Sequence, residues 1–232
     1  SARYDLRKHI IYAKKVRFMQ VGDAMIYPDS GKVTIYEKAK METLNNARVV
    51  ASYVTQNHKM YNVTADVFGK RSFAGNGYID YVDETGGKQT IYLATIGVDT
   101  TGQTYASGAI EKETNFSLSP QYDYHGRVFI NSNNEFMTFR GFTRIKHDCD
   151  LLSKNWFYFN SEINPNEIFI PIDSVLTDED DNKLTTSVML SKDSVGIYSA
   201  FANRILKYSD AKVLPAFGYM FYDKELKEYK IS

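Results

Sequence analysis

The sequence predicts an all-β fold: many short strands in stacked, curved or sandwich-like sheets, with one short helix near residues 198–207. Runs in which apolar and polar residues alternate with a period of two recur along the chain, and turn-forming residues separate them at short intervals. Aromatic residues make up 14% of the chain and include 18 widely spread tyrosines, which suit half-buried strand positions. At 232 residues and 43% hydrophobic content, the chain has enough apolar material for a sizeable core.

The clearest predicted element is a β-hairpin within the segment from Gly75 to Asp99. Two strand-like runs, Tyr78–Val82 and Gln89–Val98, flank a turn at 83–88. Tyr78, Asp80 and Val82 alternate with Ile79 and Tyr81, as expected of a strand with one buried face. Adjacent glycines in the turn supply the positive φ that a tight hairpin needs.

Short apolar runs between Arg17 and Val67 predict further strands, because the apolar residues within each run are mostly two positions apart. Turn residues at 28–31, 45–46 and 56–58 separate the runs. Residues 39–49 also fit helical spacing, but the central pair Asn45 and Asn46 disfavours a helix. Four more strands are predicted at Thr104–Ile110, Asn115–Leu118, Arg127–Ile130 and Glu135–Phe139, and two at Ala216–Tyr222 and Glu228–Ile231.

The residue composition changes near residue 152, where the chain becomes richer in aromatic residues, and this change predicts two regions. Residues 1–152 form a β-rich region with a taco- or solenoid-like sheet, and residues 153–232 form an aromatic-rich β subdomain. No spacer rich in Pro, Gly or Ser lies between them, so one continuous structure is equally compatible with the pattern. The predicted helix rests on a stripe with i, i+3, i+4, i+7 and i+8 spacing that comprises Tyr198, Phe201, Ala202, Ile205 and Leu206.

The run from Trp156 to Phe159 predicts a strand that places Trp156 and Tyr158 on one face and Phe157 and Phe159 on the other. Aromatic residues on both faces favour burial on both sides. If one pair is instead exposed to solvent, that pair becomes the candidate ligand platform.

Charge and cysteine content narrow the function classes. Lys plus Arg and Asp plus Glu both number 28, and this balance argues against nucleic acid as a partner. A local cluster of basic residues near the N-terminus is interpreted as a solvated strand edge: Arg3, Arg7, Lys8, Lys14, Lys15 and Arg17.

The single cysteine, Cys149, allows neither an intrachain disulfide nor a multi-thiolate zinc site. No apolar run is long enough for a transmembrane helix, and a start at Ser1 without Met is expected of a matured product or a fragment of a larger protein.

Several segments match parts of known functional motifs, but none of them assigns a catalytic, cofactor-binding or metal-binding residue. Asp178, Asp180 and Asn182 match the start of an EF-hand frame, but Lys183 stands where glycine is needed and Met189 where glutamate is needed. A hairpin turn is the favoured interpretation, with a weak calcium site as the alternative. The segment from Lys146 to Asp150 joins His147, Cys149 and carboxylates without any family signature, which favours a loop with a buried thiol over a nucleophile. Phe68-Gly69-Lys70-Arg71 lacks the upstream glycine of a phosphate loop.

Four blocks carry a resemblance to known proteins: Ile35–Val49, Gly75–Val98, Ser119–Gly141 and Trp156–Ile172. The phrases GNGYIDYVDETGGKQTI at Gly75–Ile91 and SPQYDYHGRV at Ser119–Val128 resemble segments of large, uncharacterised exported proteins of Bacteroidota. Residues 20–145 also resemble, in the texture of their short strands, the OstA-like lipopolysaccharide-transport fold. Three matches to the O-glycosylation pattern of exported Bacteroidota proteins agree with this: Asp99-Thr100-Thr101, Asp173-Ser174-Val175 and Asp193-Ser194-Val195. Asn62-Val63-Thr64 and Asn115-Phe116-Ser117 match the N-glycosylation pattern at a chance level.

The sequence therefore leaves two functions open. The first is a non-catalytic structural or ligand-binding module of a larger exported envelope protein, with no cofactor and with a glycan, lipid or protein as partner. The second is a carbohydrate-active enzyme that uses paired carboxylates on a β scaffold. The resemblance implies a periplasmic or cell-surface location, and the composition is also compatible with the cytoplasm.

Overall fold

The computed structural model describes residues 1–37, 40–148, 154–172, 176–190, 197–204 and 212–232. These ranges contain twenty-one β-strands and a short 3-10 turn at Lys112–Thr114, so the predicted all-β class is confirmed. The strands are β1 (Ala2–Asp5), β2 (Ile10–Lys14), β3 (Met19–Val21), β4 (Ala24–Tyr27), β5 (Lys32–Ile35), β6 (Leu44–Ala51), β7 (His58–Gly69), β8 (Ser72–Val82), β9 (Lys88–Val98), β10 (Thr104–Ile110), β11 (Ser117–Ser119), β12 (Tyr122–Asn131), β13 (Met137–Ile145), β14 (Phe157–Ile163), β15 (Ile170–Ile172), β16 (Leu176–Thr177), β17 (Lys183–Leu190), β18 (Ile197–Arg204), β19 (Lys212–Pro215), β20 (Gly218–Asp223) and β21 (Glu228–Ile231).

The largest sheet of the described residues has eleven strands. Ten of them follow the order β14-β13-β12-β10-β9-β8-β7-β6-β4-β3, and β11 pairs with β12 outside this path. Three smaller sheets have the orders β1-β2-β5, β15-β20-β21 and β16-β17-β18, with β19 beside β17 in the last. Sequence neighbours such as β6 and β7 or β7 and β8 run antiparallel. This meander follows from short turns, since a two-residue connection can only join antiparallel strands.

The described chain divides into two compact units. Unit 1 comprises Ser1–Tyr81, Lys88–Ala109 and Arg127–Met137, and unit 2 comprises Val82–Gly87, Ile110–Gly126 and Thr138–Ser232. Fully buried side chains in unit 1 include Ile26, Met60, Leu93 and Ile96. Those in unit 2 include Tyr122, Tyr124, Phe139 and Phe157. The predicted change near residue 152 concerns consecutive regions of the chain and stays a prediction.

The predicted hairpin in Gly75–Asp99 is confirmed, with β8 and β9 as its strands. Its turn is organised by Asp83, whose Oδ1 accepts hydrogen bonds from the backbone N–H groups of Thr85 at 2.8 Å and Gly87 at 2.9 Å. Of the two adjacent glycines in this turn, Gly86 alone has a backbone in the left-handed region, with φ of 83°. Gly87 serves a different need, because a Cβ there would lie 2.7 Å from Asp83 Oδ2.

The segment from 39 to 49, for which helical spacing was the alternative, contains the start of β6. Asn46 has φ of 54°, and the register of β6 against β7 shifts between Leu44 and Ala47. The asparagine therefore sits at a bulge, which accounts for the irregular apolar spacing.

The predicted helix near 198–207 is wrong over its described part. Residues 197–204 form β18, which pairs antiparallel with β17 from Leu184↔Arg204 to Leu190↔Ile197. An isolated helix of this length is marginal in water, whereas Ile197, Tyr198 and Phe201 favour a strand and the segment pairs with β17 along most of its length. Residues 205–207 lie outside the described residues. Within the described ranges, no helix has the length and apolar character needed to cross a membrane.

Candidate functional site

Three tyrosines form a stripe on the solvent-exposed face of β7, β8 and β9 in unit 1. The ring centroids of Tyr61 and Tyr78 are 6.2 Å apart with nearly parallel planes, and those of Tyr78 and Tyr92 are 5.2 Å apart. Tyr78 is 37% exposed and Tyr92 is 46% exposed. We call Tyr61, Tyr78 and Tyr92 the tyrosine stripe. A cluster of exposed aromatic rings on one face marks a surface suited to binding.

Strand register produces this arrangement. Tyr61 of β7 lies directly opposite Tyr78 of β8. Alternation along β8 turns Tyr78 and Asp80 outward and buries Ile79 and Tyr81. Asn62 has φ of 49°, and the register shifts between Tyr61 and Thr64. This bulge changes which side chains of β7 point outward. The face on which Tyr61 and Thr64 lie therefore depends on strand pairing and does not follow from simple alternation.

Polar groups lie beside the rings. The Tyr61 hydroxyl donates a hydrogen bond to Asp80 Oδ1 at 2.7 Å, and the Thr90 hydroxyl donates to the same atom at 3.2 Å. Lys88 Nζ lies 2.7 Å from Asp80 Oδ2. Partial burial raises the pKa of Asp80, but the contacts from Lys88, Tyr61 and Thr90 together outweigh it, so the pKa lies below its ordinary value. The stripe thus combines apolar rings with an ionised acceptor and two donors.

The strand predicted at Trp156–Phe159 is present from Phe157 onward as part of β14, and its two faces differ in burial. Phe157 and Phe159 are buried, at 0% and 2% exposure. Tyr158 is 41% exposed and Trp156, just before β14, is partly exposed, so burial on both sides is wrong for this strand.

Trp156 lies among charged side chains of unit 2. The Arg144 guanidinium is 4.6 Å from the centre of its ring, and Lys112 Nζ is 5.2 Å from it. The His125 ring contacts it edge-on at 4.6 Å. Glu179 lies 2.7 Å from Lys112 Nζ and 3.0 Å from His125 Nε2. The protein's own cations already lie against the Trp156 ring. The pair Trp156 and Tyr158 is therefore a weaker ligand platform than the tyrosine stripe.

The charges around Trp156 compensate each other. Asp123 pairs with Arg144 at 2.7 Å and with Lys146 at 3.2 Å. Burial raises the pKa of Asp123, but these two cations and their hydrogen bonds outweigh it and hold the pKa below its ordinary value. Burial lowers the pKa of His125, and the neighbouring Lys112 adds to this while Glu179 opposes it. The cluster is therefore built as a set of paired groups on the sheet.

Three further aspartates accept hydrogen bonds from backbone N–H groups within turns. Burial alone raises the pKa of Asp83, but hydrogen bonds from Thr85 and Gly87 outweigh it, and the net shift is downward. The pKa of Asp99 is lowered, and the largest cause is a hydrogen bond from the Thr101 side chain. The pKa of Asp223 is also lowered, and the largest cause is a hydrogen bond from the Leu226 backbone N–H. A proton-donating carboxyl needs the opposite shift.

The acidic turn that resembled a calcium loop is a hairpin turn between β16 and β17, in agreement with the favoured interpretation. Asp178 is 4% exposed, and its Oδ1 accepts hydrogen bonds from the backbone N–H groups of Asp180 at 3.0 Å and Asn182 at 2.9 Å. The carboxylate that opened the EF-hand frame therefore organises the turn. No cluster of three or more His, Cys, Asp or Glu side chains that could hold a metal ion occurs in the part of the chain that the structure describes.

The remaining sequence candidates are dispersed. Lys146 contacts Asp123, but Cys149 and Asp150 lie outside the described residues, so the interpretation of the segment from Lys146 to Asp150 stays a prediction. Two of the three O-glycosylation matches, at 173–175 and 193–195, also lie outside them. The six N-terminal basic residues are all exposed around β1 and β2, as expected of a solvated edge.

Sequence reasoning did not single out the tyrosine stripe. Alternation separated Tyr78 from Ile79 and Tyr81, but its neighbours Tyr61 and Tyr92 are 17 residues before and 14 residues after it, and only the register aligns them. Comparisons with known protein families, with curated proteins and with solved structures found no match to this chain.

Proposed function

We propose that the chain is a non-catalytic carbohydrate-binding module and that the tyrosine stripe is its ligand site. The observation that carries the proposal is the row of three neighbouring rings on a solvent-exposed face, with Asp80 held among them by Tyr61, Thr90 and Lys88.

Sugar chemistry fits this surface. A pyranose ring has faces of C–H groups and a rim of hydroxyls. Tyrosine offers an apolar ring with a polar tip, and C–H groups packed on aromatic rings contribute individually weak contacts. Several rings in a row are therefore needed for useful affinity. Asp80 accepts hydrogen bonds from hydroxyls, and the Lys88 ammonium keeps N–H groups beyond its contact with Asp80 that can donate them, so both hydrogen-bonding roles of a sugar hydroxyl have a partner.

Charge favours a neutral glycan over the other ligand classes. Asp80 and Lys88 pair with each other at 2.7 Å, which leaves the stripe without net charge. The chain as a whole is also formally neutral. A nucleic acid would be expected to select a basic surface, and a lipid surface would be expected to select a contiguous apolar one.

Five aspartates, Asp80 of the stripe among them, fit a binding or structural role better than that of a proton donor. Asp80, Asp83, Asp99, Asp123 and Asp223 all have lowered pKa values and all hold turns or cations. A glycosidase needs one carboxyl that keeps its proton near neutral pH. Placement within a larger exported envelope protein, at the periplasm or cell surface, is part of the proposal and rests on the sequence resemblance.

The test is affinity gel electrophoresis of the full chain through gels that contain soluble neutral polysaccharides such as xylan, glucomannan, β-glucan or dextran. We expect at least one polysaccharide to retard the wild type. Tyr78→Ala and Tyr92→Ala should each weaken this binding about two- to tenfold, since an aromatic contact contributes about 0.5–1.5 kcal/mol beyond its buried area.

Tyr158→Ala is the matched control, because Tyr158 is 41% exposed on a different strand. It should bind as the wild type does. Lack of retardation by every polysaccharide, or an equal loss with Tyr158→Ala, would overturn the proposal.

A further inference from the structure

Unit 1 contains a small apolar cavity away from the tyrosine stripe. Its volume is about 270 Å³. The apolar side chains that line it are Met19, Val21, Ile35, Met41 and Val67. Gln20, Gly69 and Lys70 complete the wall. Two methionines in the lining give a surface that adapts its shape to an apolar guest.

A second cavity, of about 510 Å³, has a polar lining. It is lined by Gln20, Gly22, Asp23, Tyr53, Lys70, Arg71, Thr101 and Gly102. Asp23 is already engaged, because its Oδ1 accepts hydrogen bonds from both the backbone N–H and the hydroxyl of Thr104. No carboxylate within the described ranges forms an ion pair with Lys70 or Arg71. The polar cavity therefore carries two cations and the one carboxylate of Asp23, and this leaves a net positive charge for an anion.

The two cavities share Gln20 and Lys70, which form their common border. Lys70 and Arg71 form the two-residue tip between β7 and β8. The Lys70 carbonyl accepts a hydrogen bond from the Gly22 backbone N–H at 2.8 Å, which fixes the tip of the hairpin. Lys70 therefore lines both cavities from a fixed backbone position, with an aliphatic stem suited to the apolar side and an ammonium suited to the polar side.

We propose that the two cavities together bind a single-chain amphiphile with an anionic headgroup. The alkyl chain occupies the apolar cavity, and the carboxylate or phosphate lies between Lys70 and Arg71. An apolar pocket with a few well-placed polar groups is the usual form of a small-molecule site. This site uses none of the residues of the tyrosine stripe, so it stands or falls separately from the carbohydrate-binding proposal.

Isothermal titration calorimetry with hexanoate, octanoate and decanoate below their micelle concentrations tests the role of the chain. Each added methylene should tighten binding about fourfold until the apolar cavity is filled, since burial of one methylene is worth about 0.8 kcal/mol. Octanol, which has the same chain length as octanoate without the charge, should bind about tenfold more weakly. Octyl phosphate distinguishes the two headgroup chemistries, and whichever anion binds more tightly identifies the preferred one.

Two variants assign the binding to these cavities. Lys70→Gln should weaken octanoate binding about fivefold, the upper range for an exposed ion pair, while Lys59→Gln, near the other end of β7, should not change it. Gly69→Leu should weaken decanoate binding at least tenfold by narrowing the apolar cavity. The backbone at Gly69 lies outside the left-handed region, and a Cβ there would meet no atom within 4 Å, so the variant is expected to fold.

Lys59→Leu is the control for added apolar bulk, because Lys59 is exposed on β7, ten residues before Gly69, and lines neither cavity. It should bind decanoate as the wild type does. The proposal is overturned by no detectable binding of any alkyl anion, by affinity that does not depend on chain length, by equal affinity for octanol and octanoate, or by wild-type affinity in both Lys70→Gln and Gly69→Leu.

Discussion

Truncation of Phe159 should destabilise the protein strongly, whereas truncation of its neighbour Tyr158 should not. Phe159 is 2% exposed, and its ring contacts Tyr124 edge-on with centroids 5.7 Å apart. Tyr124 in turn packs edge-on against Phe139 at 5.1 Å. Phe159→Ala therefore removes a ring from a connected aromatic cluster inside unit 2.

The expected loss for Phe159→Ala is about 3–5 kcal/mol, the range for a buried phenylalanine that leaves a cavity. Phe157→Ala should fall in the same range, because Phe157 is 0% exposed. Tyr158→Ala should cost less than about 1 kcal/mol, since much of its ring is already in water. The contrast between neighbours on one strand tests the assignment of the two faces independently of the overall stability.

Urea unfolding followed by far-ultraviolet circular dichroism measures these losses. With a slope of about 2 kcal/mol per molar, the midpoint for Phe159→Ala should fall by about 2 M, and the slope itself should stay unchanged. A near-neutral result for both phenylalanine variants, or a loss for Tyr158→Ala as large as theirs, would refute the buried cluster.

Three further predictions follow from the fold and its charges. The circular dichroism spectrum should be that of an all-β protein, and a helix content above roughly a quarter of the residues would contradict it. A chelator should leave the melting temperature unchanged, and a drop of several degrees would reveal a bound metal ion. Asp123 has a lowered pKa, so the unfolded chain takes up its proton at higher pH than the folded chain does. Its contribution to stability should be present at neutral pH and fade as pH falls below about 4, and Asp123→Asn should abolish that part of the pH dependence.

Much of the fold was predictable because local signals agreed with the final pairing. Alternation at Tyr78–Val82 and the turn at 83–88 both indicated a hairpin, and the structure has it. The segment at 198–204 failed for the opposite reason. Its helical spacing is a short-range signal, and pairing with β17, which involves residues up to 20 positions away, decides its conformation.

The candidate site was harder to predict, because it depends on register. Alternation shows which residues of one strand share a face, but it does not show which tyrosines of three strands become neighbours. The bulge beside Tyr61 adds a change of face that no simple pattern contains. The cavity lining has the same origin, since Met19, Met41 and Val67 lie on separate segments of the chain.

The most direct test of the carbohydrate-binding claim is an NMR titration of the chain labelled on its tyrosine rings. The ligand is an oligosaccharide derived from whichever polysaccharide the chain binds in the gel. The account predicts that the ring signals of Tyr78 and Tyr92 shift as the ligand is added and that those of Tyr158 and Tyr219, which are 41% and 53% exposed, stay in place. Binding that leaves the Tyr78 and Tyr92 signals unmoved would contradict it.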